Sequence, residues 1–193
     1  MTNKIYHFPI ICWQLNPDTI LAKVAGTNIE LLSRDIKYIK NKLSHYIKKN
    51  YLTLSIEEYG SIKSSQLIIE EVSIRPSYQT PEGIFPTNVP IAIPVAAVLI
   101  KLEDNIYNCF LPLLDKQFYY YNPTQVTTLI NHFASDHFRS MPPEAINKFA
   151  FPPTPWLETL IIRRIQEKSK KIGKERDFFI DDNLAYIAER LPY

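Results

Sequence analysis

Glycine is scarce in this chain, with four residues among 193, whereas proline occurs fifteen times. Loops that bind nucleotide phosphates need closely spaced glycines, because glycine lets the backbone approach a phosphate group. Neither GxGxxG nor GxxxxGK followed by Ser or Thr occurs, and Gly173–Lys174 is followed by Glu175. We therefore predict no nucleotide or other cofactor.

Cysteine is nearly absent as well, and motifs that carry chemistry are missing. Cys12 and Cys109 lie far apart within apolar runs, and neither Cys-x-x-Cys nor HExxH occurs. This pattern predicts two buried, reduced thiols and no metal site. The GxSxG motif of a serine nucleophile is also missing. We predict that the protein has no catalytic residues and is not an enzyme.

Long hydrophobic runs are missing too. No run approaches the roughly 18 apolar residues that span a membrane, and the N-terminal apolar run is too short for a signal peptide. We therefore predict a cytoplasmic protein without membrane association.

What the sequence does have is a large apolar and aromatic content. Hydrophobic residues make up 46% of the chain, with ten Phe and twelve Tyr, which is enough to build a packed core. Positive charge is concentrated in Arg34–Lys49 and in Arg163–Arg176. Such blocks are typical of solvated faces or of surfaces that contact anionic partners.

The first part of the chain predicts two strands and a helix. Lys4–Leu15 reads as a buried strand, and Thr19–Gly26 reads as the strand that returns after a turn. A helix follows over Ser33–Tyr51, with Ser33 as its N-cap and an apolar face that includes Tyr46. Its opposite face is basic, and these lysines are candidate interaction residues: Lys37, Lys42, Lys48 and Lys49.

The second part predicts a meander and another helix. Leu67–Tyr78 reads as a strand, and four prolines in Thr80–Pro94 predict a loop packed along the body, neither helix nor central strand. Val95–Tyr121 then reads as three antiparallel strands, followed by an amphipathic helix over Pro123–Arg139.

The run Phe118–Tyr121 places four aromatic residues in one strand. Alternate side chains of a strand point to opposite faces, so the four rings form two pairs. We predict Phe118 and Tyr120 in the core, because this pair includes the only ring without a hydroxyl. Tyr119 and Tyr121 are then predicted to face outward, where they could contact a partner or stack on bases.

Together these elements predict an α+β fold. We expect a binding domain over residues 1–150, with a mixed or antiparallel sheet and both amphipathic helices packed on one face. Residues 151–193 are expected to form a Pro-rich connector and a basic helical linker, with a final short helix capped near Asp182 or Asn183.

The order of these pieces resembles two known kinds of domain. "FPIICWQLNPDTILAKVAG", followed by a helix ending "LSHYIKKNY", resembles the strand–strand–helix unit of HicB-like domains. "LIIEEVSIRP", the "IPV" and "CFLP" strands and "FYYY" resemble the N-terminal region that precedes the ATPase module in bacterial Clp-like AAA+ proteins. "LAYIAERLPY" resembles the linker into that module.

The resemblance implies a non-catalytic module that recruits substrate or a partner to an AAA+ chaperone or unfoldase. The expected partners are therefore the ATPase or its client proteins. Two alternatives remain open at this point. One is a HicB-like antitoxin that neutralises a small RNA-cleaving toxin. The other is an RNA- or single-stranded-DNA-binding domain that uses the lysine helix and the exposed tyrosines.

Overall fold

A computed structural model describes residues 2–50, 54, 56–139, 141–168 and 175–181. The described strands are β1 (Thr2–Asn16), β2 (Thr19–Val24), β3 (Glu30–Ser33), β4 (Ser64–Ile74), β5 (Ser77–Thr80), β6 (Gly83–Pro86), β7 (Ile91–Lys101), β8 (Tyr107–Leu111), β9 (Lys116–Tyr120), β10 (Pro155–Lys168) and β11 (Glu175–Asp181). The α-helices are α1 (Ile36–Asn50), α2 (Val126–Phe138) and the single turn α3 (Pro143–Ile146). The predicted α+β class is confirmed.

The chain divides into two compact units. The split unit combines Met1–Lys63 with Leu157–Tyr193, and the continuous unit is Ser64–Trp156. This differs from the predicted single sheet covered by two helices, because α1 belongs to the split unit and α2 to the continuous unit. The predicted division at residue 150 differs as well.

The split unit contains a five-stranded sheet in the order β11-β10-β1-β2-β3. The predicted first hairpin is confirmed: β1 and β2 are antiparallel, with Ile10 opposite Val24. At its turn, Asp18 N–H donates to Asn16 Oδ1 at 3.0 Å, which is why the Asn-Pro-Asp sequence ends the strand here.

Helix α1 begins two residues later than predicted. Lys37 N–H donates to Asp35 Oδ1 at 2.8 Å, so Asp35 is the N-cap, while Ser33 Oγ accepts from Asp35 N–H at 3.4 Å. Ile39, Leu43 and Ile47 are buried, as their spacing predicts. The placement of Tyr46 on the apolar face was wrong, because its side chain is 47% exposed. Residues 51–53 lie outside the described part.

The basic segment near the C-terminus is a strand where the sequence predicts a helical linker. β10 lies beside β1 in the sheet and pairs with β11, with Ile162 opposite Asp181. Thr159, Ile161 and Ile162 are β-branched, and such side chains favour the pleated strand over the helix. The predicted final helix after Asp181 lies outside the described residues.

The continuous unit contains a four-stranded antiparallel sheet in the order β4-β7-β8-β9. Its core lies on the face that α2 covers and includes Val72, Val95, Leu111, Ile130 and Phe138. The meander β7–β8–β9 agrees with the prediction. The helix prediction also agrees, except that Pro123–Gln125 forms a 3-10 turn before α2, with Asn122 as its N-cap.

The prediction of a loop over residues 80–94 was wrong. β6 lies within this region and forms a two-stranded hairpin with β5, which ends at Thr80, and β7 already begins at Ile91 and contains Pro94. Pro94 is tolerated because β8 pairs with β7 only over Val98–Lys101. At Pro94, β7 therefore pairs with β4 on one side and does not pair with β8 on the other. A proline without an N–H donor fits such an edge position.

Candidate interaction surfaces

The aromatic strand β9 divides its side chains as predicted. The Phe118 ring stacks on Phe133 of α2 at 4.8 Å between centroids, and Tyr120 stacks on Tyr107 at 5.3 Å. Tyr119 and Tyr121 are 51% and 76% exposed. These two tyrosines are therefore exposed on the surface, whereas the other two rings pack within the fold.

The predicted lysines lie on α1 in the other unit, so the structure divides the candidate surface between the two units. Lys37, Lys42 and Lys49 are exposed, and Lys48 is half-buried. At 100° per residue, Lys42 and Lys49 share the outermost face, while Lys37 and Lys48 lie on one flank.

Two tyrosines that the sequence reasoning did not assign to this surface lie beside the outer lysines. Tyr38 is 52% exposed and Tyr46 is 47% exposed, and the Lys42 ammonium lies 5.4 Å from the Tyr38 ring centroid. With His45 and Lys49 these residues span about 100° of the helix circumference. We call this set the basic tyrosine face: Tyr38, Lys42, His45, Tyr46 and Lys49. The signal in the sequence was the four-residue spacing of Tyr38, Lys42 and Tyr46.

The hairpin β5–β6 presents a second surface that the sequence reasoning missed. Tyr78 lies directly opposite Phe85, and Ile84 points to the other side of the ribbon. With Val89 just beyond, these four side chains are between 47% and 73% exposed. We call this set the apolar hairpin: Tyr78, Ile84, Phe85 and Val89. The sequence predicts Ile84, Phe85 and Val89 in a loop packed along the body, and Tyr78 at the end of the preceding strand.

A charged network in the split unit is structural. Glu57 accepts from the Lys4 ammonium, from the Tyr6 hydroxyl at 3.2 Å and from Arg164 Nη1 at 3.4 Å. The hydrogen bond with Lys4 lowers the pKa of Glu57, and the same bond raises the pKa of Lys4. Since β1, β10 and the turn Ile56–Gly60 meet here, the network ties these three segments together.

Both cysteines are fully buried free thiols, as predicted. Burial raises the pKa of Cys109 to about 12, and burial aided by Glu158 raises that of Cys12 to about 12. Glu158 also accepts from the Lys40 ammonium at 2.7 Å, which removes Lys40 from the exposed basic surface of α1. Neither cysteine has the exposure or the thiolate character of a nucleophile.

Two further properties concern the described residues as a whole. They contain no group of three or more His, Cys, Asp or Glu side chains able to hold a metal ion. Among the same residues, no helix is both long and apolar enough to cross a membrane.

Comparisons with models of protein families, with curated proteins and with solved structures returned no significant match. The resemblance to HicB-like domains and to the N-terminal regions of Clp-like proteins therefore stays a prediction.

Proposed function

We propose that this chain is a non-catalytic protein-binding module that recruits a substrate or partner to a Clp-like AAA+ chaperone or unfoldase. The observation that carries the binding role is the apolar hairpin, whose Tyr78–Phe85 pair and Ile84 occupy opposite sides of an exposed ribbon. The order of the "IPV", "CFLP" and "FYYY" segments supports the AAA+ part of the proposal.

The energetics favour a docking role for this ribbon over a role in the fold. Full burial of one Phe or Ile side chain contributes about 1.5–3 kcal/mol, and here that contribution is largely unused. Clustered exposed apolar residues on a soluble surface typically mark protein interfaces, in which aromatic residues are enriched. A partner that covers the ribbon would gain this burial without rearranging the core.

The direct test compares hairpin variants in an affinity purification from the native host. We expect an AAA+ polypeptide or its clients to copurify with the wild-type chain and to be lost with the Ile84→Ser/Phe85→Ser variant. The matched control is Leu32→Ser, which changes a largely exposed leucine in the split unit. Recovery of a small basic toxin would instead favour the antitoxin alternative. A partner that the hairpin variant still binds at full strength would contradict the proposed surface.

The basic tyrosine face favours a second candidate function, the binding of single-stranded RNA or DNA. Tyr38 and Tyr46 lie about 12 Å apart along the helix axis, with Lys42 halfway between them. Exposed aromatic rings that stack on bases, flanked by cations that contact phosphates, are the usual parts of a single-strand surface. Tyr119 and Tyr121 are additional exposed rings, but they lie in the other unit.

This candidate is tested by titrating labelled single-stranded RNA at about 50 and about 200 mM salt. Lys42→Gln/Lys49→Gln should weaken binding and flatten its salt dependence, because fewer counterions are released. Tyr38→Ala/Tyr46→Ala should weaken binding at both salt concentrations. Lys116→Gln/Lys148→Gln removes two exposed lysines of the continuous unit and serves as the charge-matched control. Binding that none of the α1 variants changes would exclude this face.

A further inference from the structure

The continuous unit contains a pocket of about 290 Å³ between the end of β4 and the last turns of α2. Its lining residues are Ser73, Ile74, Arg75, Ser135 and Arg139. The polar side chains of this lining are two guanidinium groups and two hydroxyls. All four can donate hydrogen bonds, and no carboxylate is among them.

Three of these four polar side chains make no hydrogen bond or ion pair with another described residue. Within the ranges that the structure describes, the Arg75 guanidinium and the Ser73 and Ser135 hydroxyls have no hydrogen-bond or ion-pair partner. Four side chains that can donate hydrogen bonds, two of them positively charged and none of them anionic, suit a ligand that consists mainly of acceptor oxygens. An arginine fork in particular matches the two oxygens of a carboxylate or phosphate group.

The fourth polar side chain, Arg139, already forms one ion pair. One of its nitrogens lies 3.2 Å from Asp136 Oδ1, and the other carboxylate oxygen of Asp136 lies 3.4 Å from His132. Arg139 also stands at the C-terminal end of α2, where its charge offsets the negative end of the helix dipole. A guanidinium has five N–H donors, so Arg139 retains donors for a ligand, but Arg75 is the main anchor.

The pocket lies at the base of the apolar hairpin. Ser77, the first residue of β5, donates its N–H to the carbonyl of Met141 at 3.5 Å. Arg75 precedes Ser77 by two residues, and Arg139 precedes Met141 by two residues. Both arginines therefore flank the hydrogen bond that joins the start of the hairpin to the segment after α2.

We propose that this pocket binds an oxyanion, a carboxylate or phosphate group, held mainly by Arg75 and assisted by Arg139 and the two serine hydroxyls. The carrier of this group is an acidic or phosphorylated side chain of the polypeptide that docks on the apolar hairpin. The identity of the carrier rests on the proposed function, whereas oxyanion binding by the pocket does not.

The first experiment titrates the full chain with inorganic phosphate and, separately, with acetate, followed by backbone amide NMR shifts. Ionic strength is held constant with sodium chloride, so that general screening does not change. We expect saturable shifts confined to residues 73–75 and 135–139. Saturation by phosphate alone identifies a phosphate site, and saturation by acetate as well identifies a general oxyanion site. Shifts that do not saturate, or that lie elsewhere, overturn the proposal.

The second experiment repeats the titration with variants. Arg75→Gln should weaken binding by about tenfold or more, as expected for the loss of a charge-assisted hydrogen bond, and Arg139→Gln should weaken it less. Arg34→Gln removes an exposed arginine of the split unit and should change nothing. Arg75→Lys keeps the charge without the fork and should retain part of the affinity. An equal loss for Arg34→Gln and Arg75→Gln would overturn the proposal.

The two proposals fail in distinguishable ways. Ile84→Ser/Phe85→Ser should lose the protein partner but keep the oxyanion titration, because neither residue lines the pocket. If the pocket binds no small anion while the hairpin variant still loses its partner, the oxyanion inference fails alone. If the pocket binds but the hairpin variant keeps its partner, the docking surface fails alone.

Discussion

The two compact units differ in how the chain builds them. The continuous unit is one stretch, Ser64–Trp156, whereas the split unit needs both ends of the chain, since β10 lies beside β1 in its sheet. Bringing distant segments together costs loop-closure entropy before their contacts form. The continuous unit is therefore built from one contiguous stretch of sequence, while the sheet of the split unit is completed only when β10 and β11 are in place.

The two units also differ in the side chains that they expose. The split unit presents the basic tyrosine face of α1, which suits a polyanion with flat rings. The continuous unit presents the apolar hairpin and the arginine-lined pocket beside it, which suit a polypeptide with apolar and acidic groups. The two proposed binding chemistries therefore belong to different units, and each can be tested by changes confined to one unit.

The largest expected effect concerns the two thiols, which report on one unit each. Cys12 belongs to the split unit and Cys109 to the continuous unit, and both have a pKa near 12. At pH 7 this leaves roughly 10³-fold less thiolate than in a free cysteine, in addition to the steric block. We expect maleimide labelling of the native chain to be slower by at least that factor.

Labelling at increasing urea concentration then compares the units directly. In Cys109→Ala only Cys12 reports, and in Cys12→Ala only Cys109 reports. Different midpoints for the two thiols would show that the units open separately, and one shared midpoint would show a single cooperative transition. Rapid labelling of either thiol without urea would contradict the buried placement.

The next largest effect is expected in the core of the continuous unit. Phe138 is fully buried between α2 and the sheet, so Phe138→Ala should lower the free energy of unfolding by about 3–5 kcal/mol. Ile39→Ala is the counterpart in the split unit and should cost about 2–5 kcal/mol. Circular dichroism during urea unfolding measures both changes. Leu32→Ala, at an exposed site, should stay within about 0.5 kcal/mol.

Gly60 offers a more local way to weaken the split unit. A Cβ atom at this position would lie 2.8 Å from Lys4 Cε and 3.3 Å from Tyr6 Cε1. The lysine chain can move aside, but Tyr6 is fully buried, so Gly60→Ala should destabilise the fold by about 1–3 kcal/mol. Urea unfolding of Gly60→Ala, Lys4→Ala and the double variant forms a cycle. If the clash with Lys4 matters, the double variant loses less than the sum of the single variants.

The elements that the sequence predicts well are those set by local periodicity. The buried stripe of α1 and the alternation of Phe118 to Tyr121 follow from spacing alone, and the structure agrees with both except at Tyr46. The lysines predicted on the outside of α1 are exposed for the same reason, with Lys48 only half so. Periodicity is a property of the segment itself, so it can be read without knowing the neighbours.

The features that the sequence does not predict depend on pairing between strands that are far apart in the chain. Thr159–Ile165 fits a helix or a strand by composition, and its position beside β1 decides between them. Pro94 is allowed in β7 because β8 ends its pairing at Val98, which no local pattern reveals. Ile84, Phe85 and Val89 of the apolar hairpin fit the prediction of a packed loop equally well, since apolar content cannot by itself distinguish a buried segment from a binding surface.

The smallest expected effect concerns the Lys4–Glu57 pair of the split unit. Its contribution to the free energy of unfolding should fall at both low and high pH. The lowered pKa of Glu57 means that its contribution is present above the unfolded value near 4.3 and is lost as the pH falls through the folded pKa. The raised pKa of Lys4 means that its contribution is present below the unfolded value near 10.4 and is lost as the pH rises through the folded pKa.

Solvent screening keeps the size of this contribution modest, because the side chains of Lys4 and Glu57 are 49% and 62% exposed. We expect Glu57→Gln to cost no more than about 1 kcal/mol at pH 7, and less at high salt. Urea unfolding from pH 2 to pH 11 should show the difference between wild type and variant shrinking at both extremes. The continuous unit does not contain this pair. If thiol labelling shows that the units unfold separately, the labelling midpoint of Cys109 at pH 7 should be the same in wild type and in Glu57→Gln. A variant effect that is constant across the whole range would show that Glu57 acts through packing and not through its charge.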